Sequence, residues 1–124
     1  MATVLYVDDD SITRFLVRKS LELNGYKVFE AGDGEEALEI IGANADINYV
    51  LLDLNMPVMN GFEFLKMVDQ NPDLSNLKVI VTSAIPQLHF TAQANKDVVS
   101  QNQIIGYLEK PIYFPDLIKI LSTN

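Results

Sequence analysis

The stretch Thr3-Val4-Leu5-Tyr6-Val7-Asp8-Asp9-Asp10 runs from residues suited to a strand straight into three carboxylates. An apolar run that short, rich in β-branched side chains, reads as a strand covered on both faces, with the acids at its carboxyl end. Residues 27–30, 49–52, 78–81 and 104–108 have the same character, which gives five expected strands with residues 3–7 as the first. Between them the apolar period changes to that of a helix. Residues 11–24 carry Ile12, Phe15, Leu16 and Leu23 at helical spacing, with Asp10 or Ser11 as a cap and Asn24-Gly25 as a stop. Residues 33–41 place Ala37, Leu38, Ile40 and Ile41 behind an acidic first turn, with Gly42 just beyond the end. A third helix spans residues 61–68 and is broken by Asn71-Pro72-Asp73. Pro86 suits the first turn of a fourth that runs to about Ser100, and residues 115–121 form a last helix with Leu117, Ile118, Ile120 and Leu121 on an apolar face.

Strands alternating with helices imply an α/β fold, a doubly wound parallel sheet with helices on both faces. At 124 residues and 48% hydrophobic composition, the chain is expected to form one domain over residues 1–124, with no output domain after the last helix. Its formal charge of −8 argues against nucleic acid and anionic membranes as partners and favours a cation or a basic partner. With no cysteine there is neither a disulfide nor a thiolate metal site, and His89, the only histidine, cannot build a zinc site alone. The N-terminus enters a strand without an export signal, so the expected location is cytoplasmic.

In such sheets the ligand site lies beyond the carboxyl ends of the strands, where strand order reverses. Four strand ends here deliver Asp8-Asp9-Asp10, Asp53, Thr82-Ser83 and Glu109-Lys110-Pro111 to one rim. Asp8 and Asp9 form either a solvated turn ahead of a helix cap or a pair of ligands for a hard cation such as Mg²⁺. Asp10 is assigned to capping or solvent. Asp53 is either an acceptor for loop amides or a reacting group, and an aspartate beside a divalent cation can attack phosphorus. Lys110 is an ordinary surface lysine or the partner of Asp53 and later of phosphoryl oxygens, and Thr82 is a packing residue or a hydroxyl donor to those oxygens.

Taken together, Val7-Asp8-Asp9, Asp53-Leu54-Asn55-Met56-Pro57 with Gly61, Val81-Thr82-Ser83 and Gly106-Tyr107-Leu108-Glu109-Lys110-Pro111 resemble the receiver domain of two-component response regulators, of the chemotaxis-protein type. The resemblance covers nearly the whole chain. It implies a flavodoxin-like five-stranded sheet of order 2-1-3-4-5, with Asp53 as phosphoacceptor. By the same resemblance Asp8, Asp9, Asp53 and the backbone carbonyl of Asn55 hold Mg²⁺ or another divalent cation such as Mn²⁺. Thr82 and Lys110 bind the phosphoryl group, and Thr82 with Tyr107 forms the switch. The implied partners are a histidine kinase or phosphotransfer protein, and a downstream protein that meets the face of helix 4, strand 5 and helix 5. The implied activity is a self-assisting phosphoacceptor in a phosphorelay, not a metabolic enzyme. A phosphorylation-independent pseudo-receiver that binds proteins constitutively is the alternative. A phosphatase working through an aspartyl-phosphate needs a second acid, and Asn55 stands two residues after Asp53. The chain departs from the family pattern in a longer span between Thr82 and Lys110, in Gln103-Ile104 where Gly-Ala is customary, and in Ser83 where a smaller residue is common.

Overall fold

Side chains alternate across each strand, and this alternation divides the core into two apolar layers on either side of one sheet. In the computed structural model, which describes residues 2–56, 58–96 and 101–123, the strands are β1 (Thr3–Val7), β2 (Lys27–Ala31), β3 (Tyr49–Asp53), β4 (Lys78–Ser83) and β5 (Ile104–Glu109). All neighbours pair in parallel in the order β2-β1-β3-β4-β5, as the resemblance implied. β1 and β3 are buried along their whole length, whereas β2 at one edge is half covered. The helices are α1 (Ser11–Leu23), α2 (Gly34–Ala43), α3 (Gly61–Asp69), α4 (Gln87–Lys96) and α5 (Phe114–Thr123), with a short 3-10 turn at Pro72–Leu74. Leu5, Val7, Val50, Leu52, Val79 and Val81 pack towards α2, α3 and α4, while Val4, Tyr6, Tyr49, Leu51 and Ile80 pack towards α1 and α5.

Several expected boundaries move. Four strands extend beyond the expected ends, to Ala31, Asp53, Ser83 and Glu109, because the ladder continues into the rim residues. Gly42 lies inside α2 rather than after it, and Asn44 ends that helix, its amide donating to Ile41 O. Pro86 precedes α4 instead of joining its first turn, and its carbonyl accepts the His89 and Phe90 amides at 3.0 and 3.2 Å. α4 is described to Lys96, and the expected continuation to Ser100 lies outside the described residues.

The largest correction concerns α1. Ile12, Phe15, Leu16 and Leu23, the apolar residues whose helical spacing marked this helix, are 71, 50, 59 and 87% exposed. The buried pair is Val17 and Leu21 on the opposite side. Polar partners explain the rotation. With Val17 inward, Arg14 reaches the Asp8 carbonyl and Glu30 of β2, and Arg18 meets the same Glu30 at 2.9 Å.

The unusual segment before β5 is accommodated locally. Val79 pairs with Ile104 but Ile80 pairs with Gly106, so Ile105 is an extra residue in a β-bulge. Ile105 packs in the α5 layer, and a Cβ on Gly106 would approach Ile120 of α5 to 2.8 Å, so a bare backbone fits where the bulge turns two residues the same way. Gln103 secures the entry, its Nε2 donating to Leu74 O and Leu77 O, both at 2.8 Å. Beyond the bulge, Tyr107 faces the α4 layer and Lys110 arrives at the rim.

Candidate functional site

Sheet order reverses between β1 and β3, and the carboxyl ends of these strands place Asp8 and Asp53 side by side. One oxygen each from Asp8, Asp9 and Asp53 lies within 4.8 Å of the others. Asp8 and Asp53 are buried and Asp9 is exposed, so the cluster has one face towards solvent. Three close carboxylates repel, and a cationic group has to offset them. Lys110 Nζ supplies part of this, 2.8 Å from Asp8 Oδ2 and 3.4 Å from Asp53 Oδ2. An all-oxygen set with an open side also fits a hard divalent cation, which takes carboxylates, carbonyls and waters. These groups line a cleft of about 560 Å³ together with Asp10, Asn55, Met56, Asn60, Phe62, Ser83, Ala84 and Ile85.

Local structure fixes each group. Asp10 caps α1, its Oδ1 accepting the Ile12 amide at 3.2 Å and its Oδ2 the Thr13 hydroxyl, so its role is capping. Asn55 donates its amide to Asp53 Oδ1 at 3.4 Å. Lys110 is aimed by its own backbone, since its amide donates to Ser83 O at 2.8 Å. The Lys110-Pro111 peptide is cis. Burial lifts the Asp53 carboxyl above its ordinary value, Lys110 opposes this, and Asp8 adds to it. Burial pulls the Lys110 ammonium down, but the hydrogen bond to Asp8 and the charge of Asp53 outweigh it and hold that group above its usual value.

The Thr82 hydroxyl is not on the cleft wall. Fully buried, it donates to Leu52 O at 3.4 Å. Ser83 does line the cleft, with its Oγ accepting the Ile85 amide at 3.1 Å. Tyr107 donates its hydroxyl to Ile85 O at 2.7 Å, and its ring lies 5.4 Å from that of Phe90, which stacks at 5.5 Å on Phe62. An aromatic row thus runs from the cleft wall to Tyr107.

Two contributors escape a reading of the sequence. Tyr6 appears there as one more apolar strand residue, yet its hydroxyl donates to Asp8 Oδ2 at 2.8 Å. Burial, and then the Asp8 carboxylate, pushes its phenol far above its ordinary pKa, so it stays a donor. In the sequence Gly61 reads as a motif position and the start of the third helix, without the reason that a glycine is needed. Its amide donates to Leu54 O at 3.0 Å, and a Cβ there would come within 2.7 Å of Leu54 Cα and 2.9 Å of Asp53 O. Backbone on backbone leaves no room, so Gly61→Ala has to push α3 off the end of β3. A loss of about 1–3 kcal/mol in urea unfolding is expected, together with a shift of the Asp53 amide resonance. An unchanged midpoint would show that the loop gives way freely.

A family model described as the response regulator receiver domain matches residues 4–122. Chemotaxis protein CheY1 of Helicobacter pylori (strain ATCC 700392 / 26695) is 31% identical over 129 residues, covering 98% of this chain and 98% of its own length. Two-component response regulator ORR7 of Oryza sativa subsp. japonica is 31% identical over 81 residues, which are 65% of this chain, and the match spans 39% of that longer relative. Among solved structures, Vibrio cholerae chemotaxis protein CheY4 superposes with a TM-score of 0.84 at 31% identity, covering 99% of this chain and 98% of that one.

Proposed function

The chain belongs to the response regulator receiver domain family, and on that premise we propose that Asp53 accepts a phosphoryl group from a phosphohistidine of a histidine kinase or phosphotransfer protein. The observation that carries this reading is the convergence of Asp8, Asp9 and Asp53 oxygens within 4.8 Å, with Lys110 bridging the two buried acids. The chain acts as one receiver domain over residues 1–124, in the cytoplasm, as a phosphoacceptor rather than a metabolic enzyme. Among the described residues no helix is long and apolar enough to cross a membrane, and the net charge of −8 disfavours nucleic acid.

An Asp53 oxygen attacks phosphorus in line. The new O–P bond forms as the P–N bond of the donor's phosphohistidine breaks, and the electron pair stays on the departing imidazole. Asp8, Asp9, Asp53 and the Asn55 carbonyl would hold Mg²⁺ or Mn²⁺, whose charge offsets the repulsion between two anions. Lys110, already between Asp8 and Asp53, moves onto a phosphoryl oxygen, since the charge it faces there is larger. The Thr82 hydroxyl exchanges Leu52 O for the phosphoryl group, and Tyr107 leaves Ile85 O to follow it inward. That shift alters the face of α4, β5 and α5, on which a downstream protein reads the state.

The outward stripe of α1 gives the donor a place to sit. A groove of about 550 Å³ lined by Leu16, Val17, Ile112 and Phe114 reaches Lys110, so an apolar partner surface placed there adjoins the acceptor. Leu16→Glu puts a carboxylate in that groove and is expected to slow transfer from a phosphohistidine protein about tenfold. Labelling by acetyl phosphate, which needs no docking, should stay as in the parent. Equal slowing with both donors would move the docking surface elsewhere.

Beryllofluoride with Mg²⁺ tests the whole reading. Amide resonances around Asp53, Thr82 and Tyr107 should move together in the parent. A protein that ignores the reagent is a constitutive binding module instead.

A further inference from the structure

We infer that Tyr6 is a positioning residue for the acidic cluster: its hydroxyl fixes the Asp8 carboxylate, and through it Lys110, in the arrangement that receives the divalent cation. This inference rests on the receiver reading of the site. Tyr6 and Asp8 are two residues apart where β1 leaves the sheet, so strand alternation puts both side chains on the same side. The tyrosine is fully buried in the layer under α1 and α5, a place that an aliphatic side chain could fill. A buried hydroxyl is costly unless bonded, and the bond it makes is to Asp8 Oδ2 at 2.8 Å.

Asp8 is the most constrained acid of the cluster. Its Oδ1 accepts the Asp10 amide at 2.9 Å, and its Oδ2 accepts both the Tyr6 hydroxyl and Lys110 Nζ, each at 2.8 Å. Asp53 is held more loosely, by the Asn55 amide and Lys110, both at 3.4 Å. Tyr6 therefore helps keep the lysine nearer to Asp8 than to Asp53. The acceptor is left less encumbered, and the Asp8 carboxylate cannot rotate away from its neighbours. Groups behind metal ligands act in this way, by fixing the direction of a ligand rather than by touching the ion.

The test is Tyr6→Phe, which removes one oxygen and keeps the ring, with Tyr6→Leu as a second variant. Mg²⁺ is titrated into each protein and followed by amide chemical shifts, and acetyl phosphate labelling is measured across Mg²⁺ concentrations. Both variants are expected to need about tenfold more Mg²⁺ for half-saturation. The labelling deficit of Tyr6→Phe is expected to shrink as Mg²⁺ rises, because the Asp53 carboxylate is still present and the bound metal then orders Asp8. A parent-like Mg²⁺ midpoint in Tyr6→Phe overturns the inference, whether or not Tyr6→Leu is impaired, since the ring would then act through packing alone. Tighter Mg²⁺ binding in Tyr6→Phe overturns it as well. If the parent neither binds Mg²⁺ nor becomes labelled, it is the receiver reading that fails.

Discussion

Asp53→Asn is expected to give no phosphorylated protein with any donor, while the metal-free protein melts no lower than the parent. The first half follows from the chemistry, because an amide oxygen with no negative charge does not attack phosphorus, and the neighbouring Asp8 carboxylate is already engaged by the Tyr6 hydroxyl, the Asp10 amide and Lys110. The second half follows from the electrostatics. Burial raises the folded-state pKa of Asp53 above the ordinary aspartate value. An acid raised in this way binds its proton more tightly folded than unfolded, so its ionisation opposes folding once pH passes the unfolded value. Asparagine removes that opposition and one of three close negative charges, and it gives up only the longer of the two lysine contacts. Intact mass and thermal melting read the two halves separately. A label surviving in the mutant, or a large fall in its metal-free melting temperature, would show that Asp53 is structural.

Lys110→Ala should behave in the opposite way without metal. The Lys110 side chain is 26% exposed, and its ammonium sits between two buried carboxylates. Removing it leaves Asp8 with only neutral donors. A loss of about 2 kcal/mol at neutral pH is expected, below the cost of breaking a fully buried pair because the lysine keeps some solvent. The sign is fixed by linkage. The lysine is raised in the folded state, so its contribution is fully present below its unfolded pKa and fades only as pH rises through the folded value. Mg²⁺ should restore most of the loss, since a cation in the cluster compensates the same acids. Phosphorylation should still occur, but more slowly, and the Tyr107 resonances should stop following it. A mutant as stable as the parent and switched as fully would remove Lys110 from the mechanism.

The rim could be read from the sequence because its residues lie at strand ends, and strand ends are where apolar runs stop. Asp8, Asp53, Thr82 and Lys110 each follow a run that is hard to mistake, and a parallel sheet carries all four to one edge. What the spacing could not give is rotation and reach. α1 has two apolar stripes at helical spacing, and the larger one, through Phe15 and Leu16, faces outward. The choice is made by Arg14 and Arg18 reaching Glu30, a contact between distant segments that no local period contains. Tyr6 was hidden for a related reason. Its ring satisfies the strand pattern, and only the position of Asp8 reveals what its hydroxyl does. The Thr82 hydroxyl, expected at the cleft, is found on Leu52 O, since a buried donor takes the acceptor at hand. The bulge at Ile105 explains how a departure just before β5 leaves Tyr107 and Lys110 in place.

The central claim is that acids from two strand ends and a lysine from a third make one aspartate reactive towards phosphorus when a divalent cation is present. Intact-mass analysis of the protein with acetyl phosphate, with Mg²⁺ and after chelation, followed by mapping of the modified residue, tests it most directly. A single added phosphoryl group on Asp53 that forms only with the metal is the predicted result. The same mass gained after chelation, or mapped to any other residue, would contradict it.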